Sequence, residues 1–302
     1  MKFSIVTPSF RSLPWLPLCV ASVADQVGVE VEHLIQDAGS DDGTVEWLAN
    51  DPRVKPVIEK DNGMYDAINR GLRRATGDII AHLNADEQYL PGALQAVAEI
   101  FAARPEIDIV FADTVVVDAD GKFICCRKSM QPWNVLKYVQ NPTITSSLFF
   151  RRRVVTEHAL FFDPQWRIVG DIVWFREALR RRLKTAVLRR YTSAFVESGD
   201  NLDLTPSARA ESDRLRNQRP TWAKLFEMPL RNLGRLRRLL NGTYHQSPFA
   251  YEIYTKTSPN RRVRVEVSNP TCVWWNRAPR QAGGQYRQLK VKLGAWLGNS
   301  RR

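Results

Sequence analysis

Asp78-Ile79-Ile80-Ala81-His82-Leu83-Asn84-Ala85-Asp86-Glu87 is an apolar run that breaks off on polar and acidic residues. A short run of this kind reads as a buried strand, so the acids fall at its carboxyl end. Three runs upstream have the same character: Phe3-Ser4-Ile5-Val6-Thr7, His33-Leu34-Ile35-Gln36-Asp37 and Lys55 to Glu59. Between them come helical segments. Leu16, Val20, Val23 and Val27 recur at helical spacing after Pro14, a favoured residue in a first turn, and Thr44 to Ala49 and Asp66 to Ala75 follow, the last closed by Gly77. Repeated strand-helix-strand units predict an α/β fold, a mostly parallel sheet with helices on both faces. Ligands of such sheets collect at the carboxyl ends of the strands.

Further along, Pro91 to Ala103 reads as a helix, and Ile107 to Val117 and Lys122 to Arg127 flank Asp118-Ala119-Asp120-Gly121, a hairpin turn. Ile144 to Phe150 reads as a strand and Gly170 to Arg182 as a helix. After about Ser207 the pattern loosens into Arg-rich segments punctuated by Pro220, Pro229, Pro248, Pro259, Pro270 and Pro279. A division follows, with an α/β domain over residues 1–207 and a basic, partly helical C-terminal extension over 208–302.

The composition, 44% apolar and 25% charged over 302 residues, is that of a folded globular protein with a sizeable core. The net charge of +12 belongs to the tail: from Arg209 onward 20 Lys and Arg stand against 5 Asp and Glu, whereas 24 stand against 27 before it. Such asymmetry points to an anionic partner for the tail, phospholipid head groups or nucleic acid. Cys19, Cys125, Cys126 and Cys272 show no C-x-x-C pairing and read as ordinary reduced residues. His33, His82, His158 and His245 lack metal-ligand spacing. Met1 to Pro8 opens directly into a strand without the features of a secretory signal, and no apolar run approaches the roughly 18 to 20 residues of a membrane span. A cytoplasmic location is expected, peripheral on the inner face of the cell membrane if the tail meets lipid.

Three polar clusters fall where strands end: Thr7-Pro8-Ser9, Asp37-Ala38-Gly39-Ser40-Asp41-Asp42-Gly43-Thr44 and Asn84-Ala85-Asp86-Glu87. With Gly63-Met64-Tyr65-Asp66-Ala67-Ile68-Asn69-Arg70-Gly71 and Ala75-Thr76-Gly77-Asp78, these segments resemble the family 2 glycosyltransferases of GT-A fold, in particular a bacterial polysaccharide branch. The resemblance runs from Lys2 to about Gly199. It implies an inverting transferase that moves a sugar from a nucleotide diphosphate, UDP above all, to an acceptor hydroxyl in cell-surface polysaccharide or glycolipid synthesis. The Q-x-x-R-W motif of processive synthases is missing, so one sugar per encounter is expected.

The resemblance also assigns roles. Asp86, with Glu87 assisting, matches the metal motif. A hard divalent cation, Mn²⁺ or Mg²⁺, held by carboxylates and phosphates is the natural neutraliser of a leaving diphosphate. The family usually has an acid where Asn84 stands; Asn hydrogen-bonds a ribose but adds no charge. Asp37 matches the carboxylate that receives a base N–H, and equally suits a turn before Gly39. Thr7 and Pro8 match the edge beside the base, and Ala85 lies within the metal motif. Asp66, Asn69 and Arg70 fall on the helix facing the phosphates, although Asp66 also fits a cap, as do Asp41 and Asp42 for the helix after Thr44. Many relatives carry an Arg where Ile68 stands here. Asp171 in Val169-Gly170-Asp171-Ile172 matches the acid at a helix start that takes the acceptor proton; as a helix cap its pKa would be lowered by the helix dipole. Asn141-Pro142-Thr143, Phe149-Phe150-Arg151-Arg152 and Phe162-Asp163 match the acceptor side, and Phe195 to Gly199 a segment near the diphosphate.

Leu225 to Leu240 alternates leucines with Arg231, Arg235, Arg237 and Arg238 beside Trp222 and Phe226. This stripe suits an anionic membrane surface or packing on the catalytic domain, and Trp274, Trp275 and Trp296 with Lys290 and Lys292 add to the first reading. Two rival classes stay open. A nucleotidyltransferase would share the fold and metal logic but would carry a Gly-rich, Lys-containing loop near the first strand. A nucleic-acid-binding protein explains the tail and not the three acidic clusters, so nucleic acid is the weaker partner.

Overall fold

The computed structural model describes residues 1–141, 144–197 and 205–274. Alternation along the first strand, β1 (Lys2–Ser9), divides the core in two, because neighbouring side chains in a strand leave it on opposite faces. Phe3 and Ile5 join Cys19 and Val23 of α1 (Leu16–Ala24) and Leu94, Val97 and Phe101 of α4 (Ala93–Ala103). Val6 faces the other way, into a cluster with Ile68 and Leu72 of α3 (Met64–Arg74) and Trp174 and Phe175 of α6 (Gly170–Arg180). A smaller cluster at the edge joins Leu16, Val20, Ile35 and Leu48, the last from α2 (Thr44–Asn50).

Among the described residues the main sheet has nine strands. β2 (Glu30–Asp37), β3 (Lys55–Ile58), β4 (Ile79–His82), β5 (Gln88–Tyr89), β6 (Ile109–Asp118), β7 (Phe123–Arg127), β8 (Leu148–Arg151) and β9 (Thr185–Glu197) join β1 in the order β3-β2-β1-β4-β8-β6-β9-β5, with β7 alongside β6. The first four are parallel, as the repeated strand-helix-strand pattern predicts. Beyond β4 the sheet is mixed: β8 runs antiparallel to β4 and β6, and β5 to β9, while β6 and β9 are parallel. The hairpin of β6 and β7 forms at the expected turn, where Asp118 Oδ1 accepts the amides of Asp120 and Lys122. The strand expected from Ile144 begins only at Leu148. Thr145–Ser147 form a 3-10 turn that buries the Ser146 and Ser147 hydroxyls, and Ser147 Oγ meets those of Thr114, Thr192 and Ser193. The short α5 (Arg153–Thr156) follows β8.

The compact unit runs to Cys272, past the boundary expected near residue 207. Helices α7 (Pro206–Asn217), α8 (Thr221–Leu225) and α9 (Glu227–Leu240) precede a second, two-stranded antiparallel sheet of β10 (Phe249–Thr255) and β11 (Ser258–Val267). Leu215 of α7 packs with Trp166 and Val169. Tyr251, Ile253 and Val267 close over Val115, Val117 and Ala194. The Gln88 side chain exchanges two hydrogen bonds with the main chain of Tyr254, and Arg262 reaches Asp25 at 2.6 Å. Of the residues expected to tell on the tail, Trp275, Lys290, Lys292 and Trp296 lie outside the described residues.

Helix α3 and the turn after it lie unusually close to β1. At Gly77 a Cβ would stand 2.7 Å from the Ser4 amide nitrogen and 2.8 Å from the Phe3 carbonyl carbon, both main-chain atoms of a buried strand that has no room to yield. Gly77→Ala is therefore expected to lower the stability by about 1–3 kcal/mol, measured as a shift of the urea midpoint. An unchanged midpoint would contradict this close approach.

Candidate functional site

The parallel strands bring their polar ends to one edge. Ser9 lies opposite Asp37 in register, and the ladder extends to Leu83, whose amide donates to the Val6 carbonyl at 3.0 Å. Asp37 is fully buried. Its Oδ1 accepts the amides of Gly39 and Ser40 at 3.0 and 2.8 Å, and its Oδ2 the hydroxyls of Ser9 and Ser40 at 2.7 and 2.8 Å. Both oxygens of this carboxylate thus shape the loop after β2, and Ser9, which the sequence reading passed over, is one of its partners. Next along, Asp42 receives the amide and hydroxyl of Thr44 at the start of α2, the capping role expected of Asp41 or Asp42, while Asp41 pairs with Arg11.

Thr7 does not reach this edge. Its side chain turns inward, and its hydroxyl lies 2.9 Å from His33 Nε2. Depth along the strand decides this: Thr7 shares a face with Ser9 but lies two positions further inside, while Pro8, partly exposed, takes the other face. Ala85 is likewise not free to meet a ligand with its side chain, which packs with Leu16 and Ile35.

After β4 the chain makes a tight turn. Glu87 donates its amide to the Asn84 carbonyl at 3.0 Å, and Glu87 Oε2 accepts the Asn84 amide at 2.9 Å. Two oxygens are left over: among the described residues Asn84 Oδ1 and Glu87 Oε1 are buried without a hydrogen-bond partner of good geometry. Burial pushes the pKa of both Asp86 and Glu87 up, and the Asp86 charge raises Glu87 further. Two carboxyls with no neighbouring cation among the described residues, together with these oxygens, form a donor set of the kind a hard divalent ion accepts. Among the described residues no group of three or more His, Cys, Asp and Glu side chains could hold a metal alone, so a cation here would need further ligands.

Helix α3 acts differently from the expectation. Asn69 is buried and does not face an open edge: its Nδ2 donates to the Phe162 carbonyl at 2.7 Å, and its Oδ1 accepts the Phe162 amide at 2.9 Å. Asp66 accepts the Asn62 amide at 3.0 Å and pairs with Arg70, which also meets Glu59 at 2.9 Å. Asp66 is therefore a first-turn anchor, and Arg70 is already held by two carboxylates.

Tyr65, on the same helix, was missed as a site residue. Its hydroxyl donates to the Ile168 carbonyl at 2.9 Å, accepts the Asp171 amide at 3.1 Å and stands 3.4 Å from Asp171 Oδ1. Its ring stacks on Phe162 at 5.2 Å, and Phe162 in turn meets His82 edge-on at 5.3 Å. The end of β4 is thereby joined to the start of α6 through rings in contact. Gly170 allows it, because a Cβ there would lie 2.6 Å from the Tyr65 ring. Asp171 sits in the first turn of α6, one position beyond the start, and is not its cap. Burial pushes its carboxyl up to about 6, outweighing the hydrogen bonds that hold it down and reversing the lowering expected from a helix start. Of the acceptor-side segments, Phe149 and Phe150 are core residues, Asp163 binds the Gln165 amide, and Asn141 lends its carbonyl to Arg238. Pro142, Thr143 and residues 198 and 199 lie outside the described residues.

Comparison with known proteins bears on this geometry. The family model described as glycosyl transferase family 2 matches residues 4–159, just over half of the chain. The chain belongs to glycosyl transferase family 2. This glycosyltransferase-family chain is 27% identical over 186 residues to an uncharacterized glycosyltransferase of Nostoc sp., covering 57% of each. It is 33% identical over 121 residues to a PGL/p-HBAD biosynthesis glycosyltransferase of Mycobacterium bovis, covering 38% of this chain and 47% of that one. The chain spans about half the length of the curated relatives it matches. In fold it is similar to Staphylococcus aureus TarS residues 1–349 in complex with UDP, with a TM-score of 0.54 at 16% identity over 80% of this chain and 77% of that one. The α/β sheet of this family member is thus of the GT-A type.

The raised Asp171 carboxyl has a stability consequence. A carboxyl whose folded pKa lies above its ordinary value of about 3.9 favours the folded state while protonated, and that contribution is lost as pH rises from about 4 through 6. Asp171→Asn should therefore be more stable than the native chain by about 1–3 kcal/mol at pH 8, with the difference vanishing at pH 4, in paired urea titrations. A difference independent of pH would mean that Asp171 ionises normally.

Proposed function

We propose that this family 2 member is an inverting, non-processive glycosyltransferase that moves a sugar from UDP to an acceptor hydroxyl in cell-surface polysaccharide or glycolipid synthesis. The observation that carries the reading is the pair of buried Glu87 and half-buried Asp86 at the end of β4, which among the described residues have no cation beside them, together with the unpartnered Asn84 Oδ1 and Glu87 Oε1. Similarity to structures titled as complexes with UDP and UDP-GlcNAc supports the choice of nucleotide.

Asp86 and Glu87 would hold Mn²⁺ or Mg²⁺, which when bound supplies positive charge that offsets the charge growing on the leaving diphosphate. Asn84 adds a neutral oxygen. Asp37 acts on the base through the loop it gathers, its own oxygens being filled by Ser9, Gly39 and Ser40. Arg70 reaches a phosphate by releasing Glu59, the exposed one of its two partners. On the acceptor side Asp171, with its carboxyl at about 6, is ionised near neutral pH and basic enough to take a hydroxyl proton. As the proton passes to Asp171, the acceptor oxygen forms its bond to the anomeric carbon, the bond from that carbon to the diphosphate oxygen breaks, and its electron pair leaves on the diphosphate. One displacement from the opposite face inverts the centre.

The test is a screen of nucleotide sugars for metal-dependent release of nucleoside diphosphate. Asp86→Ala should abolish turnover and the metal dependence of UDP binding, and Asp171→Asn should lower kcat by about 10²–10⁴ with donor affinity unchanged. Full activity of Asp86→Ala in excess chelator would sink the metal assignment, and a product of retained configuration would sink the base.

Helix α9 favours a second partner. Its stripe divides: Leu230 is buried, whereas Leu233, Leu236, Leu239 and Leu240 share one exposed face, 39 to 76% open, next to Arg235 and Arg237. We read this face as an interfacial contact with anionic lipid, matched in charge by the basic tail; no helix among the described residues is long and apolar enough to cross a membrane. Vesicles containing anionic lipid should retain the protein at low salt, and Leu236→Asp with Leu240→Asp should weaken retention at least about tenfold. Equal retention by neutral vesicles would count against it.

A further inference from the structure

The segment that leads into α6 is held from a second side, by a helix beyond the residues that carry the family resemblance. Glu211 of α7 accepts three main-chain amides in succession: Arg167 at 2.8 Å on Oε1, and Ile168 and Val169 at 2.9 and 3.2 Å on Oε2. Arg214 and Leu215, three and four positions on and so on the same helix face, complete the grip. Arg214 lies over the Trp166 ring at 4.5 Å and donates to Gln165 Oε1 at 3.0 Å, while Leu215 packs on Trp166 and Val169. From the opposite side Tyr65 binds the Ile168 carbonyl and the Asp171 amide. Residue 168 is thus fixed by both its polar main-chain groups, its amide to α7 and its carbonyl to α3, two positions before α6 begins.

We infer that Glu211 is a positioning residue for the transfer reaction: by gathering the amides of residues 167–169 it sets where Asp171 stands relative to the acceptor hydroxyl. The inference rests on the reading of Asp171 as the base. A carboxylate is suited to the task because its two oxygens take charge-assisted hydrogen bonds from three adjacent amides at once. Proton transfer and attack depend on placement within fractions of an ångström, so loosening this loop acts on the chemical step and not on donor binding.

The experiment compares Glu211→Ala, Glu211→Gln and Asp171→Asn in the full chain, with donor, acceptor and UDP. Glu211→Ala is expected to lose about 10- to 100-fold in kcat while the donor KM and the UDP affinity stay within about twofold. Glu211→Gln, which keeps one accepting oxygen, should recover part of that loss. In amide exchange without substrate, both variants should exchange faster at residues 167–169 and unchanged in β1 and β4. Glu211→Ala with native kcat beside an inactive Asp171→Asn would overturn the inference while leaving the base in place. Native kcat in Asp171→Asn, with faster exchange in Glu211→Ala, would overturn the base reading instead. A rise in donor KM parallel to the fall in kcat would make Glu211 a general support of the fold.

Discussion

Asn69 and the main chain of Phe162 exchange two hydrogen bonds inside the protein, and the two sides of the site depend on that exchange. A buried amide must find partners for its donor and its acceptor, and here the main chain of one residue answers both. Helix α3 is thereby fixed to the segment that leads into α6, with no slack for sliding. Tyr65, one turn earlier on α3, then meets Phe162 ring to ring and reaches Ile168 and Asp171. Helix α3 thus works as a strut between the parallel strands and the start of α6.

Much of the front half was legible because its physics is local. The β-branched runs Phe3 to Thr7 and His33 to Asp37 could only be buried strands, and polar residues after them had to emerge at one edge. The carboxylate assignments were legible as places and less so as partners. Asp37 and Asn69 were expected to meet ligands, yet their atoms are taken up by Ser9, Ser40 and Phe162, contacts that spacing in sequence does not encode. Thr7 failed for a simpler reason: it shares a face with Ser9 but lies two positions short of the strand end, inside the core. The region after 207 was hardest. Arg261, Arg262 and Arg264 make β11 look like a solvated basic stretch, although Arg262 is nearly covered and binds Asp25 and the carbonyls of Tyr89 and Glu252.

Electrostatics divide the acids of the chain. Glu32 is paired with Lys55 and the Thr76 amide and hydroxyl, and Asp108 with Arg153 and the Lys184 amide. Among the described residues Asp86, Glu87 and Asp171 have no such cation, and burial raises all three, as it does Asp113 near Arg189. Groups held away from their preferred state weaken the fold where they stand, which the well-packed clusters on both sheet faces offset.

The grip of α7 on residues 167–169 also bears on the order in which the protein becomes itself. Synthesis runs from the amino end, so α3 and α6 leave the ribosome before Glu211 does. At about 5–20 residues per second the stretch from Asp171 to Glu211 takes roughly 2 to 8 s. During that interval the parallel strands are in place, but the segment before Asp171 is held from the α3 side alone. If Asp171 is the base, a nascent chain is then finished on one side of its sheet and unfinished on the other until α7 docks.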